Sequence, residues 1–235
     1  MEMNSTVGVS VNEKSRFLGR TYGWMALALF ISAASAFLTT NSITLLRLLF
    51  GTRFGYIVMV LAELGLVMWL TASIRNLSVT AASVGFIVYS IMNGMLLSSI
   101  FFMYNISSIA SAFLGCSVMF GVMCIYGAKT TKDLTTMGRY LMMAVLGIIV
   151  ANLIQFVMSR FTNVDFSMFN VLISIVTVIV FTGLTAYDSQ KILRTAERAY
   201  DSDDYKKVAI FGALQLYLDF VNLFLALLRI FGRRR

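Results

Sequence analysis

The sequence contains no histidine and no proline among its 235 residues. Without histidine, a single chain cannot form a Ser-His-Asp catalytic triad, a histidine-ligated zinc site or an imidazole-based pH switch. Any proton sensing near neutral pH must therefore use carboxylates. Without proline, a bend in a helix must come from glycine, serine or local unwinding of the backbone.

Charged residues and cysteines are also scarce. Only 13% of the residues are charged, against roughly a quarter in an average soluble protein, 59% are hydrophobic and the mean hydropathy is +0.83. Stretches near twenty residues carry no charge or one, which is long enough for a helix to cross a hydrocarbon core of about 30 Å. These features indicate a membrane protein and exclude disordered, collagen-like and coiled-coil classes. The two cysteines, Cys116 and Cys124, are predicted to be small packing residues.

Seven apolar segments account for most of the chain. Unpaired backbone amides are costly inside a bilayer, so we predict an all-α fold, a bundle of seven transmembrane helices formed by a single domain over residues 16–235. Residues 1–15 are polar, lack the features of a cleaved signal peptide and are predicted to be disordered. The predicted spans, numbered 1 to 7, are about Tyr22–Leu38, Phe54–Ile74, Val79–Met103, Ile106–Tyr126, Arg139–Met158, Met168–Tyr200 and Val208–Ile230.

The basic residues predict the orientation of these spans. With the N-terminus in the cytoplasm, twelve lysines and arginines lie inside, whereas only Arg47, Arg53 and Arg160 lie outside besides the C-terminal tail. The tail contains Arg229 and Arg233–Arg235, which also lie outside if span 7 crosses completely. A re-entrant last segment, which would return them to the inside, is the alternative.

Three carboxylates lie in or against apolar helices. Glu63 falls in span 2, Asp188 late in span 6 and Asp219 near the middle of span 7. Burying each costs about 2.5 to 3.5 kcal/mol on insertion scales, so each needs a partner, a proton or water, and each is a functional candidate. The alternatives are a structural role for Asp219, a juxtamembrane position near Lys191 for Asp188, and a hydrogen-bonded core acid for Glu63. Arg75, at the end of span 2, is interpreted as a topology anchor, with a salt bridge to Asp188 as the alternative.

The spacing of the two aspartates predicts that they meet. Positions 188 and 219 are equidistant from the centre of the polar run 201–204, so an antiparallel hairpin of spans 6 and 7 places both carboxylates at one height. Two carboxylates in one site cannot both ionise cheaply. The pair is therefore expected to share a proton and to act as a pH switch that needs no histidine.

A polar stripe runs through span 7 at helical spacing. Its members are Gln215, Asp219, Asn222 and Arg229. Such a stripe in a bundle interior lines an ion path or forms a hydrogen-bonded core, and its acidic charge favours a path. Glu63 in span 2 and Asn93 in span 3 add further polar groups. We therefore predict that Glu63, Gln215, Asn222 and Asn93 line an ion pathway.

Four segments resemble a known family. They are Met92–Tyr104 (MNGMLLSSIFFMY), Tyr126–Leu134 (YGAKTTKDL), Phe181–Ile192 (FTGLTAYDSQKI) and Leu216–Gly232 (LYLDFVNLFLALLRIFG). Nearly the whole chain after Arg16 resembles the Bax inhibitor-1 family, also called transmembrane Bax inhibitor motif proteins, and is most similar to its bacterial members. The resemblance implies seven helices with the last near the centre, no enzymatic activity, and location in the bacterial inner membrane.

The resemblance also implies a function, because bacterial members of the family form a pH-sensitive calcium leak. By this resemblance Asp188 and Asp219 match the paired-aspartate sensor of the family, and Glu63 matches the acid of its second helix. Arg75 approximates the basic residue that latches the first aspartate when the pore is shut. The sequence departs from the family in the longer, acidic link around residues 201–204 and in a single arginine where a basic run can occur.

The function predicted from the sequence is thus a calcium leak that uses no cofactor. Asp188 and Asp219 are expected to bind calcium transiently, and the expected partners are calcium and membrane lipid, with no nucleic acid. In an alternative role the protein regulates a membrane partner such as an AAA-type membrane protease. A minor alternative is an intramembrane aspartyl protease, whose chemistry also needs two carboxylates that share a proton. However, Asp219 lies in LYLDF and not in a Gly-Leu-Gly-Asp motif, and the Pro-Ala-Leu element of those enzymes requires proline.

Overall fold

The computed structural model describes residues 11–73, 76–162, 164–198 and 204–233. Within these ranges the protein is built of helices joined by short connections, and seven segments are long and apolar enough to cross a membrane. The predicted all-α fold with seven spans is therefore confirmed. The helices are α1 (Val11–Thr40), α2 (Ile43–Phe50), α3 (Arg53–Ser73), α4 (Val79–Leu97), α5 (Ile100–Met103), α6 (Ile106–Lys129), α7 (Thr135–Phe161), α8 (Ser167–Arg198) and α9 (Asp204–Phe231).

Helix α9 forms the centre of the bundle. In its most apolar stretch 67% of the residues are buried, against 6% in α3 and 0% in α7. It packs against α1, α4, α6 and α8, and the side chains of Leu216, Tyr217 and Leu223 are completely buried. The central position expected for the last helix is confirmed.

The outer helices present apolar side chains to the outside of the bundle. Phe54 and Leu61 on α3, and Met143 and Leu146 on α7, are all exposed. Soluble proteins rarely expose continuous apolar surfaces of this kind. This surface is therefore the one that faces lipid.

Helix α1 begins at Val11, inside the segment predicted to be disordered. Neither glycine nor proline occurs between positions 11 and 18, so nothing in the local sequence stops the helix where its apolar part begins. The helix therefore extends beyond residue 16, where the stretch apolar enough to cross a membrane begins. Residues 1–10 lie outside the described residues.

The connection between the first two spans contains a helix that the sequence analysis did not predict. Helix α2 begins after Ser42, whose hydroxyl accepts a hydrogen bond from the backbone N–H of Leu45 and so caps the helix. Of its residues only Leu49 is buried. Because an eight-residue helix is too short to cross the membrane, α2 lies on the surface of the bundle.

The third span is interrupted between α4 and α5. The hydroxyl of Ser98 donates to the carbonyl of Met95 (2.6 Å), and that of Ser99 donates to the carbonyl of Leu96 (3.0 Å). These bonds compete with the regular hydrogen bonds of the helix. The break thus comes from a pair of serines. In a chain without proline, serine is one of the residues that can still bend a helix.

Helices α8 and α9 form the antiparallel hairpin that the spacing predicted. Helix α9 is continuous over 28 residues, about 42 Å at 1.5 Å per residue, which exceeds the hydrocarbon core. Just beyond its end, the Arg233 carbonyl accepts a hydrogen bond from Asn105 N at the start of α6 (3.3 Å). The last helix is therefore long enough to cross completely, and it lacks the break that a re-entrant segment requires. We call the side of the bundle where α1 begins the amino-terminal side, and the side where α9 ends the carboxyl-terminal side.

Candidate functional site

Asp188 of α8 and Asp219 of α9 meet inside the bundle. Their side chains are only 2% and 5% exposed, and the two carboxyl groups lie within hydrogen-bonding reach of each other. Further along the same hairpin, Arg229 Nη1 lies 3.5 Å from Ser174 Oγ. The antiparallel packing of α8 and α9 therefore brings the two aspartates together at one height, as their equal distance from the connecting segment predicted.

The aspartate pair contains polar atoms that no neighbour satisfies. Among the described residues, three buried side-chain oxygens lack a hydrogen-bond partner, namely Asp188 Oδ1, Asp219 Oδ2 and the adjacent Ser189 Oγ. Leaving one such group unpaired in a protein interior costs about 1–3 kcal/mol. Since most buried polar groups are paired for this reason, a helix contact that concentrates three exceptions is the strongest candidate for a functional site.

One lysine accompanies the two carboxyl groups. Lys191 lies nearly one turn beyond Asp188 on α8 and interacts electrostatically with both Asp188 and Asp219. Its Nζ lies 5.8 Å from the centre of the Tyr187 ring. Among the described residues Lys191 is the one cation that these interactions include, so it leaves a net negative charge when both carboxylates are ionised. Arg75, the predicted latch for Asp188, lies outside the described residues.

Polar but uncharged groups from α1 and α6 close another side of the site. Cys116 and Cys124 are both free and buried, which confirms that they do not form a disulfide. The thiol of Cys124 lies close to Asp219, and the hydroxyl of Tyr22 lies close to both Cys124 and Ser189. Lys191 of α8 and Cys124 of α6 thus lie beside the aspartate pair, and Tyr22 of α1 lies behind them at Cys124 and Ser189.

The loop between α6 and α7 is fastened to α8 beside the aspartate pair. The buried Gln190 accepts a hydrogen bond from Leu134 N at Oε1 (3.0 Å) and donates from Nε2 to the Lys132 carbonyl (2.8 Å). One turn further along α8, Arg194 Nη1 donates to Asp133 Oδ1 (2.7 Å). We call these contacts between α8 and residues 132–134 the loop clamp. Gln190 and residues 132–134 lie in two of the segments that resemble the family, and their contact was not predicted from the sequence.

Asp133 lies outside the membrane-spanning helices, and its hydrogen bonds keep it ionised. The hydroxyl of Thr135 (2.7 Å), the guanidinium of Arg194 and the backbone N–H of Thr135 (3.1 Å) all donate to this carboxylate, and they lower the pKa of Asp133 to about 2. Hydrogen bonds from Ser167 lower the pKa of Asp165 in the same way. Neither carboxylate titrates near neutral pH, so a pH response in that range has to come from elsewhere.

Two glycines allow α6 and α7 to approach α8 next to Asp188. A Cβ atom at Gly127 would lie 2.1 Å from the carbonyl oxygen of Ala186, and one at Gly138 would lie 2.5 Å from the ring of Tyr187. Only glycine fits these close approaches. The segments 126–134 and 181–192 therefore form one packed unit around Asp188.

A second polar cluster lies on the opposite face of α9. Asn93 of α4 donates from Nδ2 to Glu63 Oε1 of α3 and accepts at Oδ1 from the hydroxyl of Tyr217 of α9 (3.1 Å). The Tyr217 hydroxyl also lies 2.7 Å from Ser32 Oγ of α1. We call this hydrogen-bonded chain of Glu63, Asn93, Tyr217 and Ser32 the tyrosine cluster. It joins four helices. Its tyrosine and its serine were not predicted from the sequence, although a tyrosine two residues from Asp219 in an apolar helix was a signal.

The residues predicted to line one ion pathway are divided between two faces of α9. Glu63 and Asn93 belong to the tyrosine cluster, on the face opposite Asp219. Asn222 donates from Nδ2 to a carbonyl of its own helix (2.8 Å), and Gln215 is half-buried. The division arises because Tyr217 and Asp219, two positions apart on α9, point in nearly opposite directions. The polar stripe on span 7 did not include Tyr217 and so did not reveal this division.

The aspartate pair does not resemble a site that retains a metal ion. Calcium takes six to eight oxygen ligands in proteins, and the unpartnered oxygens of Asp188, Ser189 and Asp219 are fewer. Across the described part of the chain, no three histidine, cysteine, aspartate or glutamate side chains come together as a possible metal site.

Known proteins are similar to this chain over almost its whole length. Residues 14–235 match the family described as "Inhibitor of apoptosis-promoting Bax1". The inner membrane protein YbhL of Escherichia coli strain K12 is 42% identical over 221 residues, which cover 93% of this chain and 92% of YbhL. A protein of Borreliella burgdorferi is 40% identical over 223 residues, 94% of each chain, and a membrane protein of Streptococcus pyogenes serotype M1 is 32% identical over 223 residues, 93% of each chain. The chain is a multi-pass membrane protein and belongs to the Bax inhibitor-1 family.

Proposed function

We propose that this protein is a non-enzymatic calcium leak of the bacterial inner membrane, with its N-terminus in the cytoplasm, and that Asp188 and Asp219 form its pH-sensitive gate. The observation that carries the proposal is the contact of two buried carboxyl groups, each with an unpartnered oxygen, between the central helix and its neighbour. A chain without histidine needs coupled carboxyl groups of this kind to respond to pH near neutrality.

The chemistry of the aspartate pair suits calcium as the cargo. Calcium is a hard cation that prefers carboxylate, hydroxyl and carbonyl oxygens. The pair offers two carboxylates and the neighbouring Ser189 hydroxyl, and it carries net negative charge when ionised even with Lys191 beside it. An incomplete ligand set of this kind binds weakly, and weak binding lets an ion leave as readily as it enters.

Two contacts can close the gate, and they respond to pH in opposite directions. If a proton shared by Asp188 and Asp219 holds α8 against α9, raising the pH removes that proton, the carboxylates repel each other and the flux rises. If an ion pair between Asp188 and Arg75 holds α8 against the end of α3, raising the pH ionises Asp188, the ion pair forms and the flux falls. The sign of the pH response therefore identifies the closing contact.

The test is calcium efflux from liposomes that contain the purified protein, measured between pH 6 and pH 8. We expect wild-type flux to change with pH, and Asp188→Asn and Asp219→Asn to abolish the change. Asp165→Asn is the matched control, because Asp165 is an exposed carboxylate outside the membrane spans. Arg75→Gln should raise the flux at high pH only if the ion pair closes the gate.

The alternative functions give different results in the same assays. A regulator of a membrane protease would conduct equally with and without the two aspartates and would lose its effect on the partner when its polar N-terminal residues are deleted. An aspartyl protease would cleave a helical peptide, and Asp219→Asn would abolish that cleavage. Wild-type flux that does not depend on pH, together with unchanged flux in both aspartate variants, would overturn the proposed leak mechanism.

A further inference from the structure

A groove lies between α6 and α9 on the carboxyl-terminal side of the bundle. Its volume is about 520 Å³. Hydroxyl groups and an arginine line one end, and apolar side chains line much of the rest. The lining residues that matter here are Ser107, Ser111, Gly115, Met119, Phe231 and Arg233. The aspartate pair lies between α8 and α9, so the groove is not part of the candidate gate.

The polar end of the groove carries the positive charge of Arg233. Arg233 is held at this end through its backbone, because its N–H donates to Ser108 Oγ (3.1 Å) and its carbonyl accepts from Asn105 N (3.3 Å). In the described part of the chain no carboxylate pairs with its guanidinium. The exposed hydroxyl of Ser107 and the positive end of the α6 dipole lie at the same end, and two further arginines follow in the sequence. This end of the groove complements an anion.

The rest of the groove complements an acyl chain. Between Ser107 and Met119 helix α6 rises about 18 Å, close to half the thickness of a hydrocarbon core of about 30 Å. Along this stretch Ala112, Gly115 and Met119 of α6 line the groove together with Leu227 and Phe231 of α9. A Cβ atom at Gly115 would have no neighbour within 4 Å, so the groove is open at this point. A small soluble anion would use only the polar end. A phospholipid has a charged headgroup followed by an acyl chain, so it matches both the polar end and the apolar part of the groove.

We propose that this groove binds one anionic glycerophospholipid. Its phosphate lies at Arg233 and the hydroxyls of Ser107 and Ser111, and one acyl chain lies along Gly115 and Met119. The bound lipid bridges α6 and α9 on the carboxyl-terminal side, whereas the loop clamp joins α8 to the α6–α7 loop on the amino-terminal side. The proposal does not depend on calcium conduction.

Native mass spectrometry of the purified protein in detergent tests this proposal with three probes. They are phosphatidylglycerol, phosphatidylcholine with the same acyl chains, and glycerol phosphate without chains. We expect phosphatidylglycerol to be retained about tenfold more strongly than phosphatidylcholine, the effect of one charge-assisted contact. Glycerol phosphate should not be retained at the same concentration, because the apolar contacts are lost.

Two variants separate the headgroup site from the acyl site. Arg233→Gln should reduce retention of phosphatidylglycerol to that of phosphatidylcholine, and Gly115→Leu should reduce retention of both lipids because its side chain fills the open part of the groove. Arg160→Gln is the matched control, since Arg160 lies on the same side of the bundle, is exposed and stacks on Phe156 (5.2 Å). Thermal unfolding of each variant verifies that it folds.

Three results would overturn the lipid site. The first is equal retention of both lipids by the wild-type protein. The second is retention of phosphatidylglycerol by Arg233→Gln and Gly115→Leu at the level of Arg160→Gln. The third is binding of glycerol phosphate as strong as that of phosphatidylglycerol, which would assign the polar end to a soluble anion.

Discussion

Tyr217 and Asp219 lie two residues apart on the central helix α9 and point to opposite sides of it. The Tyr217 hydroxyl bonds to Asn93 and lies against Ser32, whereas Asp219 contacts Asp188. A separation of two residues on a helix corresponds to a rotation of about 200° and a rise of about 3 Å. One helix therefore separates two polar clusters at nearly the same depth, and a movement of α9 changes both.

Asp219→Asn is expected to raise the thermal stability of the protein at pH 7 by about 1–2 kcal/mol, even though it removes the proposed pH response. The amide carries no charge and can donate to Asp188, so the cost of a second carboxyl group in the bundle interior is removed. Thermal unfolding in detergent measures the change. Asp165→Asn should not raise the stability, because Asp165 is exposed and accepts hydrogen bonds from the N–H and the hydroxyl of Ser167. A melting temperature of Asp219→Asn below that of wild type would contradict this account.

Tyr217→Phe is expected to destabilise the protein by about 1–3 kcal/mol, because the hydrogen bond from its hydroxyl to Asn93 Oδ1 is lost in a partly buried site. Combined with Ser32→Ala, it should show a coupling energy of at least about 0.5 kcal/mol, since the two hydroxyls are 2.7 Å apart. In the double variant Tyr217→Phe with Asp219→Asn, the two changes in stability should add, because the two side chains share no partner. Denaturant unfolding of the single and double variants provides both values, and strong coupling to Asp219 would show that the clusters are not separate.

Gln190→Ala is expected to cost about 1–3 kcal/mol, because two backbone groups of the α6–α7 loop lose their buried partner. The variant should also conduct more calcium at the pH where the wild-type protein is closed, since the end of α8 that carries Asp188 keeps only the Arg194–Asp133 contact of the loop clamp. Thr195→Ala is the control, because its hydroxyl bonds only to the carbonyl of Lys191 in its own helix. Identical flux in the two variants would separate the loop clamp from gating.

Asp133→Asn is expected to leave the shape of the flux–pH curve unchanged between pH 6 and pH 8. The pKa of Asp133 in the folded protein, about 2, lies below its ordinary value of 3.8. Its ionised form therefore stabilises the fold above about pH 3.8, and this contribution is lost as the pH falls towards 2. The difference in melting temperature between wild type and variant should be constant near neutral pH and shrink in acid. A difference that changes between pH 6 and pH 8 would show that Asp133 titrates there.

The spans and the aspartate pair were predictable because both depend on short-range regularities. Apolar length predicts membrane crossings, and equal distances of Asp188 and Asp219 from a hairpin connection predict equal height. The break at Ser98 and Ser99 was predictable only as a possibility, since a serine pair allows but does not require a bend. Helix α2 was missed because its apolar residues lie in a segment too short to span the membrane.

The sequence by itself determined that this is a helical membrane protein with a buried acidic pair in its last hairpin, because composition, apolar length and helical spacing are local properties of the chain. Only the tertiary structure decided that Glu63 and Asn93 join Tyr217 and not Asp219, and that Gln190 and Arg194 hold the loop at residues 132–134. These contacts join residues from 30 to 124 positions apart. Such contacts depend on how each helix is rotated about its axis, and only the packing of all the helices around α9 determines that rotation.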